Sequence, residues 1–261
     1  MTLWDAALLG VLQGLTEFLP VSSSGHLALA QMLIPDFKQP GVVFDAMLHV
    51  GTAAAVVWFE RRHIVEWIGS QAGRRLFRLL VLGTVATAVL ALPLRPLAID
   101  AFVHPLWVGL ALLVTGGVVA STRWLKGGPG DERGITWRQA AVVGLAQGMA
   151  VFPGLSRSGV TITAGLVSGL DRAWAPRFSF LLSVPAIAAV AVFEVSGAWR
   201  TPYHQPNGFG VACLIGAATA AVTGYFALAL VIKTVSSRVF HRFAWYCVPL
   251  GLLVIAWGWS R

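Results

Sequence analysis

Apolar positions come in long blocks along this chain, and those blocks set its class before any single residue does. Six of them, over residues 41–59, 76–94, 105–122, 178–198, 208–232 and 243–259, have the length of roughly 17–25 residues that a helix needs to cross a bilayer. Four further stretches, near 3–18, 22–34, 139–152 and 158–170, are too short or too polar to span comfortably. The order is two short and three long, then two short and three long again. No polar connection is long enough for a soluble domain, and backbone in hydrocarbon must close its own hydrogen bonds. The pattern predicts an all-α integral membrane protein, a single polytopic domain over 1–261 with six spanning helices and four short ones. The N-terminal MTLWDAALLG has no basic n-region and no small-residue cleavage site, so no removed signal peptide is expected.

The doubled order is matched by doubled residues. GVLQGLTEFLPVSSSG at 10–25 and GLAQGMAVFPGLSRSG at 144–159 align without gaps. Gly10/Gly144, Gln13/Gln147, Gly14/Gly148, Phe18/Phe152, Ser22/Ser156, Ser24/Ser158 and Gly25/Gly159 coincide, all 134 residues apart. The same offset carries Phe44, Leu48 and Val50 onto Phe178, Leu182 and Val184. Chance alone would give about one match in such a window, so a duplicated unit is predicted, repeat 1 over 1–125 and repeat 2 over 136–261. Three crossings per unit is an odd number, so the second copy enters from the opposite face and the repeats are inverted. Each short pair then reads as a re-entrant helical hairpin. Irregular backbone at that depth survives only where protein or a wet cavity surrounds it, so the tips Pro20–His26 and Pro153–Gly159 are expected to meet near the midplane.

Composition agrees, and charge orients the chain. It is 57% hydrophobic and 11% charged, with a net charge of +8. A positive balance can signal nucleic acid, but its distribution points elsewhere. With alternate crossings, Arg61, Arg62, Arg74, Arg75, Arg78, Arg123, Lys126, Arg133, Arg138, Arg172, Arg177, Lys233, Arg238 and Arg242 share one side. Lys38, Arg95, Arg200 and Arg261 face the other. The Arg-rich side is therefore cytoplasmic, a solvated rim against lipid head groups, with no nucleic-acid partner. Cys213 and Cys247 lie in apolar runs as buried thiols without metal-ligand spacing. Trp58, Trp67, Trp107, Trp124, Trp199, Trp257 and Trp259 read as interface anchors.

The hairpin tips hold the chemistry. Gln13 and Glu17 are four apart and share a helix face. Pro20 breaks that helix, and Ser22, Ser23, Ser24, Gly25 and His26 open the next. Pro153, Gly154, Ser156, Arg157, Ser158 and Gly159 repeat the arrangement. Glycines and hydroxyls at a helix start leave N–H groups aimed one way, an anion cradle. Arg157 is the only Arg or Lys placed deep in the membrane, where an unpaired charge is costly, and its planar guanidinium suits a phosphate. Plainer readings stand beside these. Arg157 and Glu17 could staple the hairpins together, and Ser22 and Ser24 could be caps. Asp45 and His49 line a cavity or pack in a core, and Glu194 simply reaches water.

Together these motifs resemble the undecaprenyl-diphosphate phosphatases of the bacitracin-resistance type. Gln13 to His26 is similar to that family's (E/Q)xxxE and PVSS(S/T)GH motifs, Pro153 to Gly159 to its PGxSRSG motif, and Phe44 to Thr52 to its FDxxLHxGT run. The resemblance covers the whole chain. It implies a multi-pass enzyme of the bacterial cytoplasmic membrane whose cavity opens to the periplasmic side. Such an enzyme hydrolyses undecaprenyl diphosphate to undecaprenyl phosphate and inorganic phosphate. That recycles the carrier lipid for peptidoglycan synthesis and confers bacitracin resistance. It further implies catalytic roles for Ser23 as nucleophile, His26 as its acid/base partner, Glu17 and Arg157. Gln13, Ser22, Ser24, Gly25, Gly154, Ser156, Ser158 and Gly159 would bind substrate. A divalent cation, Mg²⁺ or Ca²⁺, would sit on Glu17 with Gln13. The partner is a polyprenyl diphosphate in the membrane, and a homodimer is allowed. Gln13 takes the first position of the (E/Q)xxxE motif in its amide form, which removes a second carboxylate from this helix. Covalent attack by Ser23 and direct attack by water both stay open. Inverted repeats with broken helices are also the build of transporters, so a lipid flippase or anion carrier is the competing function.

Overall fold

The structure, a computed structural model, describes residues 2–33, 42–102, 104–129, 134–200 and 208–259. Among these the chain is helical with no β-strand. Helices run as α1 Leu3–Phe18, α2 Ser23–Leu33, α3 Val42–Phe59, α4 Arg61–Trp67, α5 Gln71–Phe102 and α6 Pro105–Ser121. They continue as α7 Trp137–Met149, α8 Arg157–Val167, α9 Trp174–Arg200, α10 Phe209–Ser236 and, after a 3₁₀ turn at Phe240–Phe243, α11 Ala244–Trp259. The four short stretches of the sequence become α1, α2, α7 and α8.

Among the described residues, four helical segments are long and apolar enough to cross a membrane: Gln71–Ala101, Trp174–Glu194, Phe209–Ser236 and Phe240–Trp259. There is a fifth if Val43–Phe59 and Arg61–Trp67, bent by 66° at Glu60, count as one span. The run at 105–122 becomes α6, apolar but only 17 residues long. The bend into α4 has no counterpart in the apolar pattern. Buried Glu60 causes it in part, taking Arg177 at 3.0 Å and His63 at 3.0 Å where a straight helix would continue.

Local chemistry starts α1 and α7 alike. Thr2 and Asp5 form a capping box on α1, and Thr136 and Gln139 form one on α7, again 134 residues apart. Each helix then lies against a long one, α1 along α10 and α7 along α5. Small residues permit that approach: a Cβ at Gly10 would strike Gly216 O, and one at Gly144 would strike Gly83 O. Between these pairs sits a core that includes Phe18, Phe178, Phe180, Leu182 and Ile162, with Phe18 edge-on to Phe180 at 5.2 Å. That core anchors the end of α1, next to Glu17.

The Arg-rich end is less of a free rim than its charge suggests. Arg172 is 9% exposed and donates to Val235 O, Thr122 O and Leu125 O, tying three connections together. Arg75 donates to Ile135 O at 2.6 Å. Glu194 does not merely reach water: it pairs with Arg95 across α5 and α9 at 3.7 Å. Trp58, Trp107, Trp124 and Trp259 are exposed as interface anchors would be, whereas Trp67 packs edge-on against Trp174 at 6.0 Å. Lys38 with its loop 35–40, Arg133 and Arg261 lie outside the described residues, as do the side chains of Trp199 and Arg200. Cys213 and Cys247 are buried free thiols.

Candidate active site

The two hairpin tips touch. After α1 ends at Phe18, the chain turns through Pro20 to Ser22, whose φ of 69° puts a non-glycine residue in the left-handed region. Such a conformation is costly and persists only where the surroundings enforce it. The enforcing contact is Gly154 N, which donates to Ser22 Oγ at 3.1 Å from the other tip. Gly154 has a φ of 91°, and a Cβ there would strike Val108 O, so glycine is required twice over. Ser158 Oγ donates to Leu19 O at 3.1 Å, and Cys247 Sγ donates to Pro20 O at 3.1 Å. Thr115 on α6 completes the clamp, donating to Gly154 O at 2.9 Å and accepting from Ser156 N at 2.9 Å.

This clamp gathers side chains around one carboxylate. Glu17, 6% exposed, accepts from Arg157 Nη2 at Oε1 over 2.5 Å and from Ser23 Oγ at Oε2 over 2.6 Å. Gln13 Nε2 donates to Oε2 at 2.9 Å, and His49 Nδ1 lies 3.4 Å from Oε1. Gln13 Nε2 is also 2.9 Å from His49 Nδ1. Glu17 thus pairs with Arg157 as a staple would, but two buried groups of the cluster lack partners: Arg157 Nη1 and Gln13 Oε1. An unpaired guanidinium nitrogen away from water is the mark of an anion site, since burial without a partner costs on the order of several kcal/mol.

A cavity of about 360 Å³ opens beside the cluster. Glu17, Ser22, Ser23 and His49 line it from one half of the chain; Val151, Ser156, Arg157 and Ser183 line it from the other. Each of the second four stands 134 residues after one of the first four, so one set of positions serves twice. Ser24 and Gln147 also line the wall, and Gln147 Oε1 is a further buried acceptor without a partner. A larger groove of about 1000 Å³ beside α4 and α5 is almost wholly apolar and touches none of the polar cluster.

These are the features of one known family: residues 6–253 match the bacitracin resistance protein BacA. The chain belongs to that family. Its curated relatives include an undecaprenyl-diphosphatase of Desulfosudis oleivorans, 43% identical over 270 residues covering 95% of each chain. Another, from Korarchaeum cryptofilum, is 36% identical over 98% of this chain and 99% of its own. A third, from Gemmatimonas aurantiaca, is 38% identical over the whole of both.

Against the family motifs, the structure brings Gln13, Glu17, Ser23 and Arg157 into one cluster, with Ser22, Ser24 and Ser156 on the same cavity. Gly25, Ser158 and Gly159 lie in the first turns of α2 and α8, where they shape the tips. His26 is not brought to Ser23. Its Nδ1 meets Ser22 O at 2.8 Å and its Nε2 meets Tyr246 OH at 2.6 Å, with the two rings stacked 5.7 Å apart. A carbonyl only accepts, so Nδ1 carries the proton and, in the neutral ring, Nε2 takes the phenol hydrogen. Of Asp45 and His49, which the sequence leaves between cavity and core, His49 lines the cavity. Its signal was the offset itself, because it precedes Val50 in the run that matches Phe178 to Val184. Thr115 and Tyr246 gave no such signal.

Proposed function

We propose that this chain is an undecaprenyl-diphosphate phosphatase, releasing inorganic phosphate and leaving undecaprenyl phosphate. The observation that carries the reading is Ser23 and Arg157 seated on the two oxygens of one buried carboxylate, at the wall of a cavity with a polar and an apolar pole. The family membership and the names of the relatives support the same substrate. In the cell, the product would return to peptidoglycan synthesis, and bacitracin, by acting on the substrate pool, would be countered.

The chemistry follows from the groups. Phosphoryl transfer is catalysed by positioning and by stabilising charge on the phosphoryl oxygens. The terminal phosphate binds at Arg157, whose unpaired Nη1 and paired Nη2 offer a planar fork, with the first N–H groups of α8 beside it. Ser23 Oγ attacks the terminal phosphorus as its proton passes to Glu17 Oε2, already in contact. The Oγ–P bond forms, the bond from phosphorus to the bridging oxygen breaks, and its electron pair leaves on the lipid monophosphate. Water then displaces the seryl oxygen, which recovers its proton. Glu17 and Gln13 Oε1 fit a divalent cation only as part of a site. Among the described residues no three His, Cys, Asp or Glu side chains gather to hold an ion. Mg²⁺ commonly takes one or two protein oxygens and completes its shell with water and phosphate. When bound, the ion would neutralise diphosphate charge.

The same reading includes six spans, two of the helical pairs re-entering from opposite faces, and a cavity open to the periplasmic side. Its support is the matched capping of α1 and α7, their packing against α10 and α5, and the shared cavity positions. The test is phosphate release from undecaprenyl diphosphate by purified protein with and without EDTA. Release that EDTA suppresses and Mg²⁺ or Ca²⁺ restores is expected. A folded protein that releases no phosphate under any of these conditions ends the proposal.

A further inference from the structure

The cavity is not polar all round. Besides the Glu17 cluster it is lined by Ala91 from α5 and by Ala186, Ile187, Val190 and Ala191 from α9. These offer no hydrogen bond to a phosphate. Val190 lines the cavity and yet is 56% exposed, so on this edge the cavity reaches the outer surface of the helices. That surface continues with exposed Leu92, Val192 and Phe193. The alanines matter by their size, because they leave the gap between α5 and α9 without bulky side chains to fill it.

One turn farther along both helices something crosses the gap. Arg95 follows Ala91 by four residues and Glu194 follows Val190 by four, so each pair shares a helix face. Arg95 Nη2 and Glu194 Oε1 are 3.7 Å apart, and the same guanidinium sits 5.1 Å above the Phe193 ring. Arg95 is half exposed and the contact is long at 3.7 Å, so the pair can open without burying either charge. Pro93 and Pro96 flank Arg95 within α5, where each removes a backbone hydrogen bond. The α5 lip is therefore compliant.

We infer that the gap between α5 and α9, at Ala91 and Val190, is the portal through which the lipid diphosphate enters from the bilayer and in which its polyprenyl chain lies during the reaction, with Arg95–Glu194 as the clasp across it. The inference rests on the phosphatase reading above and adds the route and the seat of the chain. An amphiphile needs both poles at once: phosphate against Arg157, hydrocarbon against the α9 alanines and Val190. A soluble anion would use the polar side alone and leave the apolar wall unmatched. Arg95 also presents a positive charge at the lip, where the approaching diphosphate first meets the protein.

Two variants test it. Val190→Trp fills the gap and should lower kcat/KM for undecaprenyl diphosphate about tenfold, equal to about 1.4 kcal/mol, with the melting temperature in detergent unchanged. In the second, Arg95→Cys and Glu194→Cys are bridged by a bifunctional thiol reagent whose links are cleaved by dithiothreitol. The unsubstituted protein, whose two cysteines are buried, is treated alongside. Turnover should fall by at least about tenfold on bridging and return on reduction. Turnover that survives the bridge overturns the portal. If the unbridged protein already releases no phosphate from undecaprenyl diphosphate, the phosphatase reading fails instead, so the two failures are told apart by one sample.

Discussion

Arg157 has one guanidinium nitrogen on Glu17 and one on nothing, and that asymmetry makes it the residue most open to test. Arg157→Ala leaves the Glu17 charge buried beside a void, a loss of about 3–5 kcal/mol in comparable pairs. It also removes the stabilisation of phosphoryl charge, for which kcat should fall about 10²–10³-fold. Arg157→Lys restores the charge without the fork, so it should recover much of the melting temperature and little of the turnover. Equal recovery of both would make Arg157 a staple. Ser23 and Ser22 separate by what they touch. Ser23 donates to Glu17, whereas Ser22 accepts from Gly154 N. Ser23→Ala should cost on the order of 10⁶ in kcat, as loss of a nucleophilic serine does. Ser22→Ala should instead cost about 1–3 kcal/mol of stability through the orphaned Gly154 N–H, with residual activity well above the Ser23 variant. Matching activities for the two would remove Ser23 from the attack.

At the scale of elements, the tip at Gly154 carries a strong steric demand. Gly154→Ala places a Cβ against Val108 O at a φ of 91°, so it should destabilise by more than about 1–2 kcal/mol and separate the tips, lowering turnover as well. Gly117 within α6 is the control: nothing lies within 4 Å of its added Cβ, so Gly117→Ala should be neutral or stabilise by up to about 1 kcal/mol. A melting experiment on both variants in one detergent decides it. The contrast also shows what a sequence can reveal. Apolar blocks gave the helices because burial in lipid is a property of consecutive residues. The tips were legible because proline, glycine and serine act locally, on their own turns. The α3–α4 bend and the His26–Tyr246 contact depend on partners 117 and 220 residues away, and the Arg172 tie on partners 47, 50 and 63 away. Nothing near those residues announces such partners. The repeat offset was the one long-range signal the sequence carried, and it led to the cavity; followed one step further, it would have picked His49 as well.

For the whole molecule, the decisive question is which face of the membrane the Arg-rich end occupies. Arg61, Arg62, Arg74, Arg75 and Arg78 all fall around α4 and the start of α5. Cationic residues next to spans stay on the cytoplasmic side, where they need not be driven across during insertion and where anionic lipid holds them. Those residues lie at the far ends of α3 and α5 from His49 and Ala91, where the two helices line the cavity beside Glu17. Orientation of the rim therefore fixes orientation of the site: on the proposed reading, a cytoplasmic rim leaves the cavity on the outward side. Glu66 is exposed on α4 and has no part in the cluster around Glu17, which makes Glu66→Cys a mild reporter. The two native cysteines are buried, so background labelling is low. An impermeant maleimide added to intact cells should leave Glu66→Cys unmodified, and permeabilising the same cells should label it. Labelling before permeabilisation would put the Arg-rich end outside, turn the cavity toward the cytoplasm, and require the lipid diphosphate to cross the membrane before it is hydrolysed.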